Sequence, residues 1–170
     1  MAAGNFEACL KFTLQFEGGF VNNPDDPGGP TNLGVTQATL SAFLGRQATI
    51  AEVQALTPDK VAPIYHLRFW DSVQGDQLPV GIDLAVFDFG VHSGPSRGVI
   101  SIQRVLELAD DGKIGPITIA AATKADPKTT VNAICDERMA FLRSLKVFKK
   151  FGKGLTSRVD KCRQAALSMI

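Results

Sequence analysis

Histidine and cysteine are scarce in this chain of 170 residues: His66 and His92 are the only histidines, and Cys9, Cys135 and Cys162 the only cysteines. The histidines stand far apart with no cysteine near them, which excludes the common zinc-binding spacings. An odd number of widely separated cysteines argues against a disulfide framework. We read all three as free thiols packed as small hydrophobes, and expect neither metal nor cofactor. Tyr65 and Trp70 are the single tyrosine and the single tryptophan. With no zinc finger, no paired RNA-recognition aromatics and no basic run leading into heptads, nucleic acid is not an expected partner. No window approaches the ~18 to 20 consecutive apolar residues of a membrane span, so membrane insertion is not expected. The opening MAAGNFEACLKF lacks a basic stretch followed by an apolar one, which predicts synthesis in the cytoplasm without a secretory signal. His92-Ser93 has no G-x-S-x-G elbow around it, so a catalytic triad is not expected either.

What is present is ordinary globular material. The chain is 45% hydrophobic and 21% charged, enough for a real core in one compact unit, expected to be a monomer. The net charge of +1 hides an asymmetry: residues 1–100 carry 5 Lys+Arg against 10 Asp+Glu, hence −5, and residues 101–170 carry 13 against 7, hence +6. A basic second half suits an anionic partner.

Helical signals dominate the chain. Phe6, Leu10 and Leu14 repeat at helical spacing behind Asn5 as a candidate N-cap, predicting a helix over 5–16 that Gly18-Gly19 stops. Residues 20–36, FVNNPDDPGGPTNLGVT, are too rich in Asn, Asp, Pro and Gly for a helix and predict tight turns or a short irregular hairpin. Helices are then expected over 37–44 and 50–56, capped by Thr36 and Thr49, and from Thr57-Pro58-Asp59 onward, with Pro63 bending rather than abolishing the last. VGIDLAVFDFGV over 80–91 is apolar on nearly every face and predicts a helix surrounded by others. Further helices are expected over 95–109, 116–124, 127–145 and 155–167. The expected fold is therefore all-α, with one small irregular β-hairpin after the first helix.

The candidate chemistry gathers near the start. Glu17 lies at the end of an apolar helix, where burial beside Phe16 and the negative end of the helix dipole both favour its protonated form. Such a carboxylic acid can donate a proton to a leaving oxygen. Gly18 and Gly19 leave room for a bulky substrate. Asp26 and Thr31, brought back by a hairpin, can face Glu17 across a groove, the arrangement that glycosidic hydrolysis uses. This Glu–Asp–Thr order resembles that of T-even-type phage lysozymes, with one residue fewer before Thr31. Gln37 is a candidate for an acetamido group, and Tyr65 and Trp70 for stacking on a sugar, with core packing the favoured alternative for these two aromatics. Asp83 and Asp88, inside the apolar helix, are read as capping or ion-paired groups, because unpaired carboxylates there are costly.

The segment FEGGFVNNPDDPGGPTNLGVTQ resembles the signature of glycoside hydrolase family 108, whose hallmark Glu-Gly-Gly-aromatic appears as Glu17-Gly18-Gly19-Phe20. FWDSVQGDQLPVGIDLAVFDFGVHSGPSRG is similar to the family's second block. DGKIGPITIAA with RMAFLRSLKVFKKFGKGLTSRV resembles the helical peptidoglycan-binding region often fused behind it, with Leu155 in place of the usual Trp. The resemblance implies a lysozyme-like fold, Glu17 as catalytic acid, Gly18, Gly19 and Phe20 beside the substrate, and N-acetylmuramidase activity on peptidoglycan. It also implies a catalytic region over 1–98 and a wall-binding region over 99–170, packed as one unit. Alternatives from other classes are a lytic transglycosylase and a non-catalytic wall-binding protein. A wall hydrolase made in the cytoplasm needs a holin or an export machinery to reach its substrate, as phage endolysins do.

Overall fold

The computed structural model describes residues 4–23 and 28–170. Asp25 and Asp26 lie outside the described residues. Nine α-helices and one two-stranded antiparallel hairpin make up the described chain, as expected of an all-α fold with a single small β element. The chain forms two compact units, residues 10–68 and residues 1–9 with 69–170.

The 10–68 unit holds the end of helix α1 (Phe6–Leu14), strands β1 (Thr31–Asn32) and β2 (Val35–Thr36), and helices α2 (Gln37–Leu44), α3 (Ile50–Gln54) and α4 (Pro58–Tyr65). The caps are those the sequence signals. Thr36 accepts from the N–H of Thr39, Thr49 and Glu52 form a reciprocal capping box, and Thr57 accepts from the N–H of Lys60. Gly45 closes α2 in the left-handed conformation (φ +68°). Pro63 sits inside α4 without breaking it, and a five-residue π-helical turn, His66–Trp70, follows. Buried Asn32 ties the hairpin to α3: its Nδ2 donates to the carbonyls of Val53 and Gln54, each at 3.1 Å.

The larger unit is a helical bundle around α5 (Ile82–Ser93), which packs against α6 (Pro95–Val105), α8 (Pro127–Ser144) and α9 (Phe148–Ser168); α7 (Pro116–Lys124) packs on α6. From Ile82 to Gly90 every residue of α5 is buried, as expected of a helix surrounded by others. Gly98 of α6 lies directly on the Val86 carbonyl, where any side chain would collide, so the two helices cross in close contact. The first turn of α1 belongs to this unit as well. Asn5 offers its carbonyl to the N–H of Cys9, but its side chain turns to Asp83, donating at 2.7 Å, instead of capping its own helix. Asp83 also accepts from the N–H of Leu84 at 2.7 Å; burial pushes its carboxyl above the usual range.

Asp88 is fully buried and carries two ion pairs, to Arg138 and to Arg158, both at 2.8 Å. Burial pushes its carboxyl up, but the guanidinium charges and hydrogen bonds of Arg138 and Arg158 win and hold it below the ordinary value. Arg138 also donates to Nδ1 of His92 (3.1 Å), while its own Nε finds no partner among the described residues. Burial first, and then the charges of Arg138 and Arg158, bring His92 down to about 4. An unfolded histidine titrates near ~6.5. Between these values the unfolded chain binds a proton that folded His92 refuses, so stability falls as pH is lowered through that window. Asp88 adds to the loss at lower pH, and Asp83, shifted up, opposes it. We expect the urea midpoint to drop from pH 7 to pH 4.5, and His92→Gln, which keeps an acceptor for Arg138, to flatten that dependence. A variant as acid-sensitive as the parent would show that His92 does not govern it.

All three cysteines are buried and free, as expected of thiols used as small hydrophobes. Cys135 of α8 and Cys162 of α9 hydrogen-bond to each other, and the Cys162 thiol is raised by that contact and by its burial. No helix among the described residues is long and apolar enough to cross a membrane.

Candidate active site

Glu17 is placed by the way α1 ends. After Leu14 the chain tightens into three successive i→i−3 hydrogen bonds, from the N–H groups of Gln15, Phe16 and Glu17 to the carbonyls of Phe12, Thr13 and Leu14. Phe16 packs its ring against Phe12 with centroids 5.2 Å apart. The residue before Glu17 is thus anchored to its own helix, while Glu17 itself is half-buried. Gly18 and Gly19 follow, exposed, with open space where a side chain would stand. Phe20 is exposed beside them.

The hairpin folds back onto this segment. The N–H of Leu33 donates to the Gly18 carbonyl (3.0 Å), and Val21 and Thr31 exchange both backbone hydrogen bonds, at 2.8 and 2.9 Å. Thr31 therefore lies in the short β layer that includes the segment leaving Glu17, and its hydroxyl donates to the Gly29 carbonyl at 3.0 Å.

Between β1 and β2, Leu33 (φ +49°) and Gly34 (φ +74°) form a two-residue turn with both central residues left-handed. That geometry favours Asn-Gly; a leucine there is strained by roughly 1 kcal/mol. It is held from both sides, by its N–H on Gly18 and by its carbonyl, which accepts from the Tyr65 hydroxyl at 2.9 Å. Gly34 explains why the turn sits where it does. A side chain there would collide with the Tyr65 hydroxyl and come within 2.8 Å of Oε2 of Glu17. Close approach of the backbone to the carboxylate thus requires glycine at this position. Gly34→Ala combines the left-handed strain with displacement of Glu17. A misplacement of about 1 Å costs on the order of 100-fold in rate, so we expect a loss of that size in any reaction that depends on the Glu17 carboxylate, together with a lower melting midpoint. Unchanged activity in this variant would separate the turn from the carboxylate's function.

The remaining candidates are placed as follows. Tyr65 is buried, and the structure gives it the part of a clamp on the turn through its hydroxyl. Gln37 uses its side-chain amide to donate to the Ala48 carbonyl at 2.7 Å, tying the first turn of α2 to the loop that follows the helix. Trp70 belongs to the other unit and is fully buried, with Phe6 and Phe87 edge-on at 5.4 and 5.3 Å and its indole N–H on Asp76 (3.0 Å). It has no face left for a sugar and is a core residue. Among the described residues no cluster of His, Cys, Asp or Glu could hold a metal ion. Leu33 and Gly34 were not singled out by sequence reasoning. The signal available was the Asn-Leu-Gly-Val run, a hairpin turn whose glycine needs positive φ.

The family model described as Glycosyl hydrolase 108 matches residues 10–94. The structure titled "Structure of Brucella abortus SagA" is 46% identical, covers 99% of this chain and 97% of its own, and superposes with a TM-score of 0.85. No curated protein matches.

Proposed function

This chain belongs to glycosyl hydrolase family 108, and on that premise we propose that it is an N-acetylmuramidase with Glu17 as its general acid. The observation that supports this most is the placement of Glu17: a half-buried carboxylate at the tightened end of α1, with Gly34 against it and two open glycines beside it. In the proposed reaction Glu17 donates its proton to the oxygen of the β-1,4 bond after N-acetylmuramic acid. The bond from that oxygen to the anomeric carbon breaks through an oxocarbenium-like state, and water adds to the carbon. Thr31, with its hydroxyl hydrogen on Gly29, has lone pairs to accept from that water. Asp26, five residues before Thr31 in the sequence, is the proposed second carboxylate. The open surface at Gly18 and Gly19, with exposed Phe20 alongside, is the proposed resting place of the glycan.

We assign peptidoglycan as the substrate and residues 99–170 as the part that attaches to it, working as a monomer that a holin or an export machinery releases to the wall. The deciding experiment is mass spectrometry of muropeptides released from purified peptidoglycan. A muramidase leaves reducing ends carrying the added water. Fragments lighter by one water, the 1,6-anhydro form, would instead make the enzyme a lytic transglycosylase.

A further inference from the structure

Between Glu137 and Asp160 the chain carries seven cationic side chains and no carboxylate. Two of them, Arg138 and Arg158, are consumed by the buried Asp88. The other five, Arg143, Lys146, Lys149, Lys150 and Lys153, are all exposed, and none makes an ion pair among the described residues. They surround the junction at which α8 ends at Ser144 and α9 begins at Phe148. At the same junction Val147 and Phe151 are 51% and 52% exposed. Four residues apart, they share one side of the opening turn. Lys150 holds its Nζ 5.1 Å from the Phe151 ring centroid, so charge and apolar surface are interleaved.

Folding does not account for this arrangement. Cations in the first turns of a helix oppose its dipole, and α9 has no acidic residue in its first turn to offset them. Gly152 and Gly154 weaken the same stretch. A half-exposed phenylalanine beside a half-exposed valine leaves apolar area in water that burial would stabilise.

We infer that this end of the α8–α9 pair is a docking surface for an anionic lipid bilayer. The five cations meet the headgroup phosphates, and Val147 and Phe151 enter the boundary between headgroups and acyl chains. The two apolar side chains decide the kind of partner. A soluble polyanion or a glycan strand satisfies the cations but has no hydrocarbon for Phe151, whereas a bilayer supplies both. Attachment is peripheral, since no helix among the described residues is long and apolar enough to cross. The inference is separate from the enzymatic reading and does not involve Glu17.

The test is co-sedimentation of the full chain with vesicles of phosphatidylcholine alone and of phosphatidylcholine mixed with phosphatidylglycerol, with dextran sulfate as a soluble polyanion. Of the two kinds of vesicle, only the mixed ones are expected to bind, and this binding, like that of dextran sulfate, should weaken as salt rises. Each lysine near such a surface is worth roughly five-fold in affinity, so Lys149→Gln, Lys150→Gln and Lys153→Gln together should weaken binding about 100-fold. Phe151→Ser should weaken vesicle binding about ten-fold while leaving dextran sulfate binding unchanged. Melting midpoints show whether each variant is folded, and Val147→Ser is the second apolar variant should Phe151→Ser fail to fold. Failure to bind mixed vesicles at low salt would overturn the inference. So would serine variants that bind them like the parent, which would leave a site for polyanions of any kind, the wall polymer included.

Discussion

Glu17→Gln should reduce glycan hydrolysis by on the order of 100- to 10,000-fold while leaving the fold intact. The size of the effect follows from the role. Proton donation by a positioned carboxylic acid contributes that much to the cleavage step, and an amide of the same shape has no proton to give. The structural cost of the change is small, because Glu17 is only half-buried and lies beyond the last α-helical residue of α1. Turbidity loss of chloroform-treated Gram-negative cells, with melting curves of both proteins, reads the two consequences separately. Equal clearing by parent and variant would remove Glu17 from the mechanism. No clearing by either would point to a protein that binds the wall without cutting it.

The largest expected effect on stability lies at Asp88. Removing this carboxylate by Asp88→Ala leaves the guanidinium groups of Arg138 and Arg158 in the bundle without their counter-charge. Breaking a buried pair from one side costs about 3–5 kcal/mol. In a chain of this size that is a fall in melting midpoint on the order of 10 °C, from a total stability of only ~5–15 kcal/mol. Arg138 already has one nitrogen, Nε, without a partner among the described residues. Asp88→Asn keeps the shape and some of the hydrogen bonding, and should fall between the parent and the alanine variant. A midpoint for Asp88→Ala within a degree or two of the parent would mean that water reaches the cluster in solution.

The elements legible in the sequence were those announced by local chemistry. Thr36, Thr49 and Thr57 each cap the helix expected of them, and α2 and α7 span the expected residues. Asp88 is ion-paired, as expected of a carboxylate buried in α5, whereas Asp83 neither caps the helix nor shows an ion pair among the described residues and is held by hydrogen bonds from Asn5 and the N–H of Leu84. The identity of these partners, Asn5, Arg138 and Arg158, depends on pairings across tens of residues that no local pattern reveals. α9 starts seven residues before its expected beginning: Gly152 and Gly154 weaken that stretch as a helix, and packing against α8 and α5 overrides their preference. The π-helical turn after α4 left no trace in the hydrophobic pattern. At the candidate site the motif pointed to Glu17 and its glycines. It could not show that the turn at Leu33 and Gly34 closes on the carboxylate, or that Tyr65 spends its hydroxyl on that turn. Those relations belong to tertiary geometry. Trp70 is the reverse case: its sequence context allows a sugar platform but favours the core, and its surroundings place it in the core.

The mutual contact of Cys135 and Cys162 turns the bundle into its own clock. Two sulfurs enclosed between the longest helices of the described chain are out of reach of an alkylating reagent for as long as α8 and α9 stay together. Under native conditions their labelling rate therefore measures how often that helix pair parts, and a peptide carrying both labels would report the opening as one event.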